Sequence, residues 1–309
     1  MHYEEDVLKN TQGQNTAYRA WRVRKPDATV LVIHGMAEHS GRYEGLGQFL
    51  TDKNISLYSI DLPGHGEHCP ENQLGHVDSW QEQIDAIHNA WRLVAEFEPR
   101  IPLFLLGHSM GSYLTMDALQ SHQPYPLSGV ILSGSGLHSS LKLWAGKQVA
   151  RIEKLRQGKK GYSNLLEHLS FGDFNKPFEP AKTEMDWLSR DLQSVLNYIE
   201  DPFCGFQCSN QFWIEFLSAQ LRINKSSGLS ALPQVPFLLI SGDKDPVGRM
   251  GKGVSLLERR LKNATSKTVK FNLYPNGRHE MLNESNKQYV MNDLYEWITQ
   301  ECKRIIPES

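Results

Sequence analysis

The chain has 309 residues, enough for one large α/β domain with an insertion or for two medium-sized domains. Its 33 Lys and Arg residues nearly balance 35 Asp and Glu residues, so we do not expect nucleic acid as a partner. The longest apolar runs are far shorter than the roughly 20 residues that span a bilayer. The acidic start MHYEED does not resemble a cleaved signal peptide, and we therefore expect a soluble, cytoplasmic protein.

The four cysteines are too few and too scattered to form a disulfide framework. Two of them, Cys204 and Cys208, lie in CGFQC, whose spacing differs from the common CxxC zinc half-site. We expect reduced thiols, no bound metal and no cofactor.

Short runs rich in Val, Ile and Leu recur along the chain and predict strands that are buried on both faces. Segments with helical spacing of apolar residues lie between these runs. The predicted strands, in chain order, span 29–35, 55–61, 102–108, 129–136, 236–243 and 268–274. The predicted helices span 43–53, 78–97, 110–121, 249–262 and 286–305. This alternation predicts an α/β fold with a mostly parallel sheet flanked by helices on both sides.

One long interval interrupts this alternation, between the strand that ends near Gly136 and the strand that opens at Pro236. Its pattern is mainly helical, with short stretches of Gly, Pro, Asp and Asn between the helices. We expect the last of these helices, NQFWIEFLSAQLRI, to pack in the core layer. The predicted division is therefore a core at 1–136 and 208–309 and a mainly helical cap, or lid, at 137–207.

The pentapeptide GHSMG joins a predicted strand to a predicted helix, and Ser109 lies at its centre. A serine on a sharp strand-to-helix turn has a strained backbone, and very small residues such as Gly107 and Gly111 let the strand and the helix approach around it. The hydroxyl then projects outward as a candidate nucleophile. The alternative is a turn serine that only caps the helix.

A serine nucleophile requires a base, and the base requires an acid that orients it. In this kind of fold the acid and the base follow the serine on loops at the carboxyl ends of later strands. The first such loop offers Asp243 or Asp245, and the second offers His279. We prefer Asp245 because Pro246 favours an extended or turn conformation, whereas Asp243 is expected to hydrogen-bond within the turn.

Acyl transfer also requires hydrogen-bond donors for the developing oxyanion. The backbone N–H of Met110, directly after the serine, is one predicted donor. The backbone N–H of Met36, on the loop after the first predicted strand, is the other.

Five segments resemble the α/β-hydrolase family of monoacylglycerol lipases and lysophospholipases: HGMAEHSGRY, DLPGHGEH, LLGHSMGSY, SGDKDPVG and PNGRHEMLNE. The segment EDPFCGF resembles the bacterial lysophospholipase branch, and the likeness extends from about Val30 to the C-terminal helix. The resemblance implies an α/β-hydrolase fold. The site residues that it implies are the nucleophile Ser109, the acid Asp245, the base His279 and the oxyanion donors Met36 and Met110.

Two further positions, Glu38 and Arg42, match polar residues near the pocket of that family. We expect them to form an ion pair that braces the loop, rather than to contact substrate.

We predict a serine hydrolase that cleaves carboxylic esters of single-acyl-chain lipids, either lysophospholipids or monoacylglycerols, through an acyl-serine intermediate. Its partner is then a small acyl ester, and the cap could also contact a membrane or micelle surface transiently. Apolar cap residues could line a tunnel for the acyl chain, or could equally form the cap's own small core. These residues are Leu137, Leu141, Leu143, Trp144, Leu165, Leu166, Leu169, Phe171, Phe174 and Phe178.

Three alternatives remain open: an aminopeptidase-type peptidase, a thioesterase, and a non-catalytic binding protein on the same scaffold. A peptidase of this kind would need a cap carboxylate to hold the amino group of its substrate. The available acids are Glu153, Glu167, Asp173, Glu179, Glu184, Asp186 and Asp191.

Overall fold

The computed structural model describes residues 2–9, 15–121 and 125–305. Eight strands form one sheet within these residues. Their bounds are β1 (His2–Lys9), β2 (Asn15–Arg22), β3 (Ala28–Ile33), β4 (Ile55–Ile60), β5 (Leu103–His108), β6 (Gly129–Ser133), β7 (Phe237–Gly242) and β8 (Val269–Tyr274).

The α-helices of the described residues alternate with these strands. They are α1 (Glu44–Thr51), α2 (Trp80–Phe97), α3 (Met110–Gln120), α4 (Ser140–Gln157), α5 (Asn164–Phe171), α6 (Leu192–Glu200), α7 (Asn210–Ile223), α8 (Ser226–Ser230), α9 (Lys252–Ala264) and α10 (Lys287–Ile305). Short 3-10 helices occur at Ser40–Tyr43, Glu71–Gln73, Lys176–Phe178 and Met281–Asn283.

The strand order is β1-β2-β4-β3-β5-β6-β7-β8. The strands from β4 to β8 in this order pair in parallel, whereas β1 and β2 join antiparallel at one edge. The prediction of a mostly parallel sheet is confirmed. Because the carboxyl ends of the parallel strands lie along one edge of the sheet, the loops that follow β3, β5, β7 and β8 meet there.

Helices cover both faces of the sheet, and the residues of β3 show how the strand contacts each layer. All six positions of β3 are buried. Leu31 and Ile33 belong to an apolar cluster with residues of α2, α3, α7 and α9. Val30 and Val32 belong to a second cluster with residues of α1 and α10. A continuous apolar run therefore marks a strand packed on both sides, as predicted.

The edges of the sheet differ from the prediction. β1 and β2 were not predicted, because acidic residues interrupt the apolar pattern of β1, which has exposed and half-buried positions. β8 was predicted to be buried on both faces, and this is wrong. It is the other edge strand, and of its six residues Tyr274 alone is buried. An edge strand has one neighbouring strand and less cover from the helical layers.

The segment between β6 and β7 contains α4 to α8 and is mainly helical. Its helix α7 contacts α2 and α3 of the core as well as α4. The exact limits of the cap, residues 137–207, stay a prediction. Among the described residues, no helix combines the length and the apolar character needed to cross a membrane.

Candidate active site

Ser109 lies between the end of β5 and the start of α3, with a φ of 49° and a ψ of −118°. This conformation is strained for a residue with a side chain. The N–H of Ser109 donates to the carbonyl of Ser133 on β6 at 2.8 Å, and its carbonyl accepts from the hydroxyl of Ser112 at 2.6 Å. These bonds hold the strained turn in place.

The two flanking glycines have a steric role. A Cβ on Gly107 would lie 2.5 Å from the carbonyl oxygen of Gly111 and 2.5 Å from Oγ1 of Thr115. A Cβ on Gly111 would collide with the carbonyl oxygens of Ile33 and His34. Any larger residue would force α3 away from β3 or β5 and would displace the serine.

His279 and Asp245 meet at the carboxyl edge of the sheet, on the loops that follow β8 and β7. Nδ1 of His279 lies 3.0 Å from Oδ1 of Asp245, and both side chains are buried. The same oxygen accepts from the backbone N–H of Val247 at 2.8 Å. The carboxylate fixes the proton of the neutral imidazole on Nδ1, so that Nε2 can accept a proton.

The pKa of His279 is raised above its ordinary value. Burial alone would lower it, but the carboxylate of Asp245 and, more weakly, those of Glu280 and Glu38 outweigh burial. The ring of His108 lies 4.9 Å from that of His279, and burial lowers the pKa of His108 to about 4. His108 is therefore neutral near pH 7 and does not repel a protonated His279.

The other candidate acid, Asp243, has a different environment. Its Oδ1 accepts from the backbone N–H of Asn276 at 2.8 Å, on the loop after β8. The expectation that Asp243 bonds within its own turn is wrong, because β7 and β8 place the two loops side by side.

The predicted oxyanion donors, Met36 and Met110, line the same cavity as Ser109 and His279. Ala37 follows Met36 and has a φ of 52°. Its carbonyl accepts from the N–H of Gly205 at 2.9 Å and from the hydroxyl of Tyr198 at 3.1 Å. Because these bonds orient the strained loop after β3, they also orient the peptide groups that precede it.

A buried ion-pair network joins this loop to the histidine loop. Nη1 of Arg42 lies 2.8 Å from Glu38 and 2.7 Å from Glu280, and Nη2 lies 2.7 Å from the second oxygen of Glu280. Burial alone would raise the pKa values of both carboxyls, but Arg42 lowers them. Oε1 of Glu38 also accepts from the N–H of Gly35. The predicted bracing pair exists, and Glu280 is a third member that was not predicted from the sequence.

A cavity of about 650 Å³ opens at these groups. Of the ten apolar cap residues that could line a tunnel or form the cap's own core, five line this cavity: Leu143, Leu166, Leu169, Phe171 and Phe174. The remaining five do not. Leu137 packs in the core, Leu141, Trp144 and Leu165 are exposed, and Phe178 packs with other apolar residues of the cap.

Several residues of the cavity wall were not predicted. Trp213 and Phe216 come from α7, and Trp187 comes from the loop before α6. The ring of Trp187 lies 5.2 Å from that of His279, and its carbonyl accepts from the N–H of His279 at 3.3 Å. Aromatic residues at helical spacing are also typical of core packing, so the sequence did not indicate that Trp213 and Phe216 line the cavity.

Of the seven cap acids considered for a peptidase, Glu167 lines the cavity. Burial raises the pKa of its carboxyl. Glu153, Asp186 and Asp191 instead accept hydrogen bonds from side chains or backbone groups of the cap.

One group of ligand-type atoms occurs near the site. Atoms of His39, Asp201 and Cys204 lie within 4.8 Å of one another. Nε2 of His39 lies 2.9 Å from the carboxylate of Asp201, and burial raises the pKa of the Cys204 thiol. The hydrogen bond between His39 and Asp201 links the loop after β3 to the cap.

The chain is similar to known hydrolases along most of its length. The family model described as "Serine aminopeptidase, S33" matches residues 24–286. Monoglyceride lipase of Homo sapiens is 30% identical over 311 residues, with 95% of this chain and 89% of that protein covered. Phospholipase YtpA of Bacillus subtilis is 34% identical over 124 residues, or 40% of this chain and 46% of that protein.

A solved structure extends the likeness to three dimensions. The crystal structure of a highly thermostable carboxyl esterase from Bacillus coagulans, in complex with glycerol, has a TM-score of 0.88 and 26% identity. The match covers 98% of this chain and 99% of that one. The chain therefore belongs to the α/β-hydrolase family that the matching family model describes and that includes the monoglyceride lipases.

Proposed function

We propose that this α/β-hydrolase cleaves the carboxylic ester of lipids with a single acyl chain, monoacylglycerols or lysophospholipids, through an acyl-serine intermediate. The observation that carries the proposal is that Ser109 on its strained turn and His279, which is bonded to Asp245, line one cavity with a largely apolar wall. The similarity to a monoglyceride lipase and to a phospholipase supports this substrate class.

In the first half of the reaction, Oγ of Ser109 attacks the ester carbonyl carbon while Nε2 of His279 takes the hydroxyl proton. Asp245 holds Nδ1 and stabilises the imidazolium. The carbonyl oxygen becomes an oxyanion, which the N–H groups of Met36 and Met110 bind. When the tetrahedral intermediate collapses, the ester C–O bond breaks and His279 gives its proton to the departing alcohol.

In the second half, His279 removes a proton from water and the hydroxide attacks the acyl carbon. The second tetrahedral intermediate releases Oγ of Ser109, which recovers its proton from His279, and the fatty acid leaves. The cavity of about 650 Å³ lies within the range of small-molecule sites. Its apolar wall, which includes Leu143, Leu166 and Phe171, suits an acyl chain.

The test is Ser109→Ala, assayed with monoacylglycerols, lysophospholipids, p-nitrophenyl esters and thioesters. We expect a loss of at least about a thousandfold in kcat with an unchanged thermal unfolding midpoint. Ser121→Ala, at the exposed end of α3, is the matched control and should keep full activity. A fluorophosphonate probe should label wild type and not Ser109→Ala. An active Ser109→Ala variant, or wild type that the probe does not label, would contradict the proposal.

A second candidate function is removal of N-terminal residues from peptides. Glu167 in the cavity favours it, because a carboxylate there could hold a substrate ammonium group. Aminoacyl anilides should be tested beside the esters, with wild type and Glu167→Gln. Faster cleavage of the anilides, lost in Glu167→Gln, would favour the peptidase over the lipid esterase.

A further inference from the structure

The mouth of the cavity carries two positive side chains that the reaction does not use. Lys142 and Arg249 line the cavity together with Ser109 and His279. Both residues are exposed, so they lie where the headgroup of a lipid would extend after its acyl chain has entered.

The fold holds Arg249 at this position. The loop after β6 and the loop after Asp245 are joined by the N–H of Leu137, which donates to the carbonyl of Gly253 at 3.1 Å. The N–H of Gly253 in turn donates to the carbonyl of Gly248 at 2.8 Å. Nη1 of Arg249 donates to the carbonyl of Leu137 at 3.4 Å. These bonds direct the guanidinium toward the start of the cap.

Lys142 approaches the same place from the cap. It lies in the first turn of α4, and its backbone N–H donates to Oγ of the N-cap residue Ser139 at 3.5 Å. The positive end of the helix dipole adds to its charge. Nη1 of Arg249 bonds to the carbonyl of Leu137, five residues before Lys142, so both cations lie near the start of α4. Burial lowers the pKa of His138, which precedes α4, to about 4, and the charges of Arg249 and Lys142 contribute to the lowering.

Among the described residues, no acidic side chain forms an ion pair with Lys142 or Arg249. Of the three carboxylates that line the cavity, those of Glu38 and Glu280 are already bound to Arg42, and burial raises the pKa of the third, Glu167 on α5. A pair of free cations beside an apolar cavity suits a molecule with one acyl chain and an anionic headgroup.

We propose that Lys142 and Arg249 form an anion subsite that binds the phosphate of a lysophospholipid, and that the enzyme therefore prefers lysophospholipids to neutral monoacylglycerols. This inference rests on the proposed ester hydrolysis and deepens it by naming the substrate. The subsite holds the headgroup by charge-assisted hydrogen bonds, whereas the acyl chain occupies the apolar wall.

The experiment compares two substrates that differ by the phosphate alone, 1-hexanoylglycerol and 1-hexanoylglycerol 3-phosphate. Both are short enough to be assayed as monomers, away from any lipid surface. We expect wild type to have the higher kcat/KM for the phosphate. The ratio of the two kcat/KM values should fall about tenfold in Lys142→Gln/Arg249→Gln, mainly through KM. In wild type the ratio should also fall as salt concentration rises.

Arg249→Lys keeps the charge and should keep most of the preference, which separates loss of charge from disturbance of the loop. The control Arg259→Gln/Lys267→Gln removes the same charge from exposed positions outside the cavity wall and should leave the ratio at the wild-type value. Equal ratios in wild type and Lys142→Gln/Arg249→Gln would overturn the inference. The inference would also be overturned if Lys142→Gln/Arg249→Gln lost inhibition by hexanoate but kept the phosphate preference. That result would show that the two cations bind the carboxylate of the product instead of a phosphate.

Binding provides a readout that does not depend on turnover. In the Ser109→Ala background, titration calorimetry with 1-hexanoylglycerol 3-phosphate should show binding that Lys142→Gln/Arg249→Gln weakens about tenfold. If wild type hydrolyses neither ester but this charge-dependent binding is present, the proposed function fails while the subsite stands. If wild type hydrolyses the esters but Lys142→Gln/Arg249→Gln does not weaken binding, the anion subsite is refuted and the proposed ester hydrolysis is not.

Discussion

Two aspartates on one loop show how strongly the local environment decides a residue's role. Asp245 is fully buried and bonds to the imidazole of His279, whereas Asp243 is half-buried and bonds to the backbone of Asn276. Only the first can raise the basicity of His279 by direct contact. The structure places Asp245 and not Asp243 against His279, and the role of Asp245 as the acid stays a prediction.

Asp245→Asn should lower kcat for a p-nitrophenyl ester by about a thousandfold or more, because the amide no longer fixes the imidazole tautomer. It should also move the acid limb of the pH profile of kcat/KM to lower pH. The carboxylate of Asp245 raises the pKa of His279, and the base is active when neutral, so loss of the charge lets residual activity persist in more acidic buffer.

Asp243→Asn is the matched control for this change, since it removes the same charge two residues away. It should change kcat little and leave the acid limb in place. If Asp243→Asn were the crippling variant instead, the assignment of the acid would be wrong.

At the scale of elements, Arg42 ties the loop after β3 to the loop after β8. Its side chain is 10% exposed, and those of Glu38 and Glu280 are 4% and 5% exposed. A cation buried between two carboxylates is difficult to remove, because both partners would be left charged and unpaired. The network positions two loops that carry different parts of the site.

Arg42→Met should lower the free energy of unfolding by about 3–5 kcal/mol at about pH 7.5. In wild type, Arg42 lowers the pKa of Glu280, so this stabilisation is present above the ordinary carboxyl pKa and is lost as pH falls through the lowered value. In the variant, burial without the cation raises the carboxyl pKa values. Its stability should therefore recover as pH falls toward about 5.5. Urea unfolding at the two pH values measures both effects.

Arg156→Met is the control, because Arg156 pairs with Glu153 but its side chain is 66% exposed. It should change the free energy of unfolding by less than about 1 kcal/mol. An equal loss of unfolding free energy in Arg42→Met and Arg156→Met would show that burial does not determine how much the Arg42 network stabilises the protein.

The sequence predicted those features whose cause is local. The turn at Ser109 needs small residues two positions away on either side, and Gly107 and Gly111 show this directly. Buried parallel strands such as β3 need continuous apolar runs, which are visible in the letters. Edge strands such as β1 carry a mixed pattern that resembles a loop.

Contacts between distant segments could not be predicted in the same way. Glu280 meets Arg42 across 238 positions, and Trp187 reaches His279 from the cap, because the sheet brings their loops to one edge. Five of the ten apolar cap residues line the cavity and five do not, and the sequence left both roles open because helical spacing identifies an apolar face and not what the face contacts. The cap limits and the cytoplasmic location stay predictions.

At the scale of the whole molecule, the cap presents an apolar surface to solvent. Exposed apolar residues on α4 and α5 are Leu141, Trp144, Ile152, Leu155, Leu165 and Leu169. Exposed cations of the same region are Lys142, Arg151, Arg156, Lys159 and Lys160. We propose that this outer surface of α4 and α5 contacts anionic lipid surfaces, since apolar and basic side chains together are typical of interfacial helices.

Trp144→Ser/Leu155→Ser should weaken binding to phosphatidylglycerol vesicles by about tenfold in a cosedimentation assay, because two apolar side chains lose burial in the bilayer interface. Leu273→Ser, at an exposed position of β8, is the control and should bind as wild type does. Wild-type binding that is equal for phosphatidylcholine vesicles, or that survives Trp144→Ser/Leu155→Ser, would show that the surface has no such role.

Main-chain bonds from the cap to the histidine loop restrict how the enzyme can admit its substrate. The carbonyls of Trp187 and Leu188 accept from the N–H groups of His279 and Glu280, at 3.3 Å and 2.8 Å. If the whole cap swung outward as a rigid lid, it would pull the imidazole out of line with the serine at the moment of admission. An opening movement that keeps His279 in place must therefore hinge within the cap, while residues 187–188 stay bonded to the histidine loop.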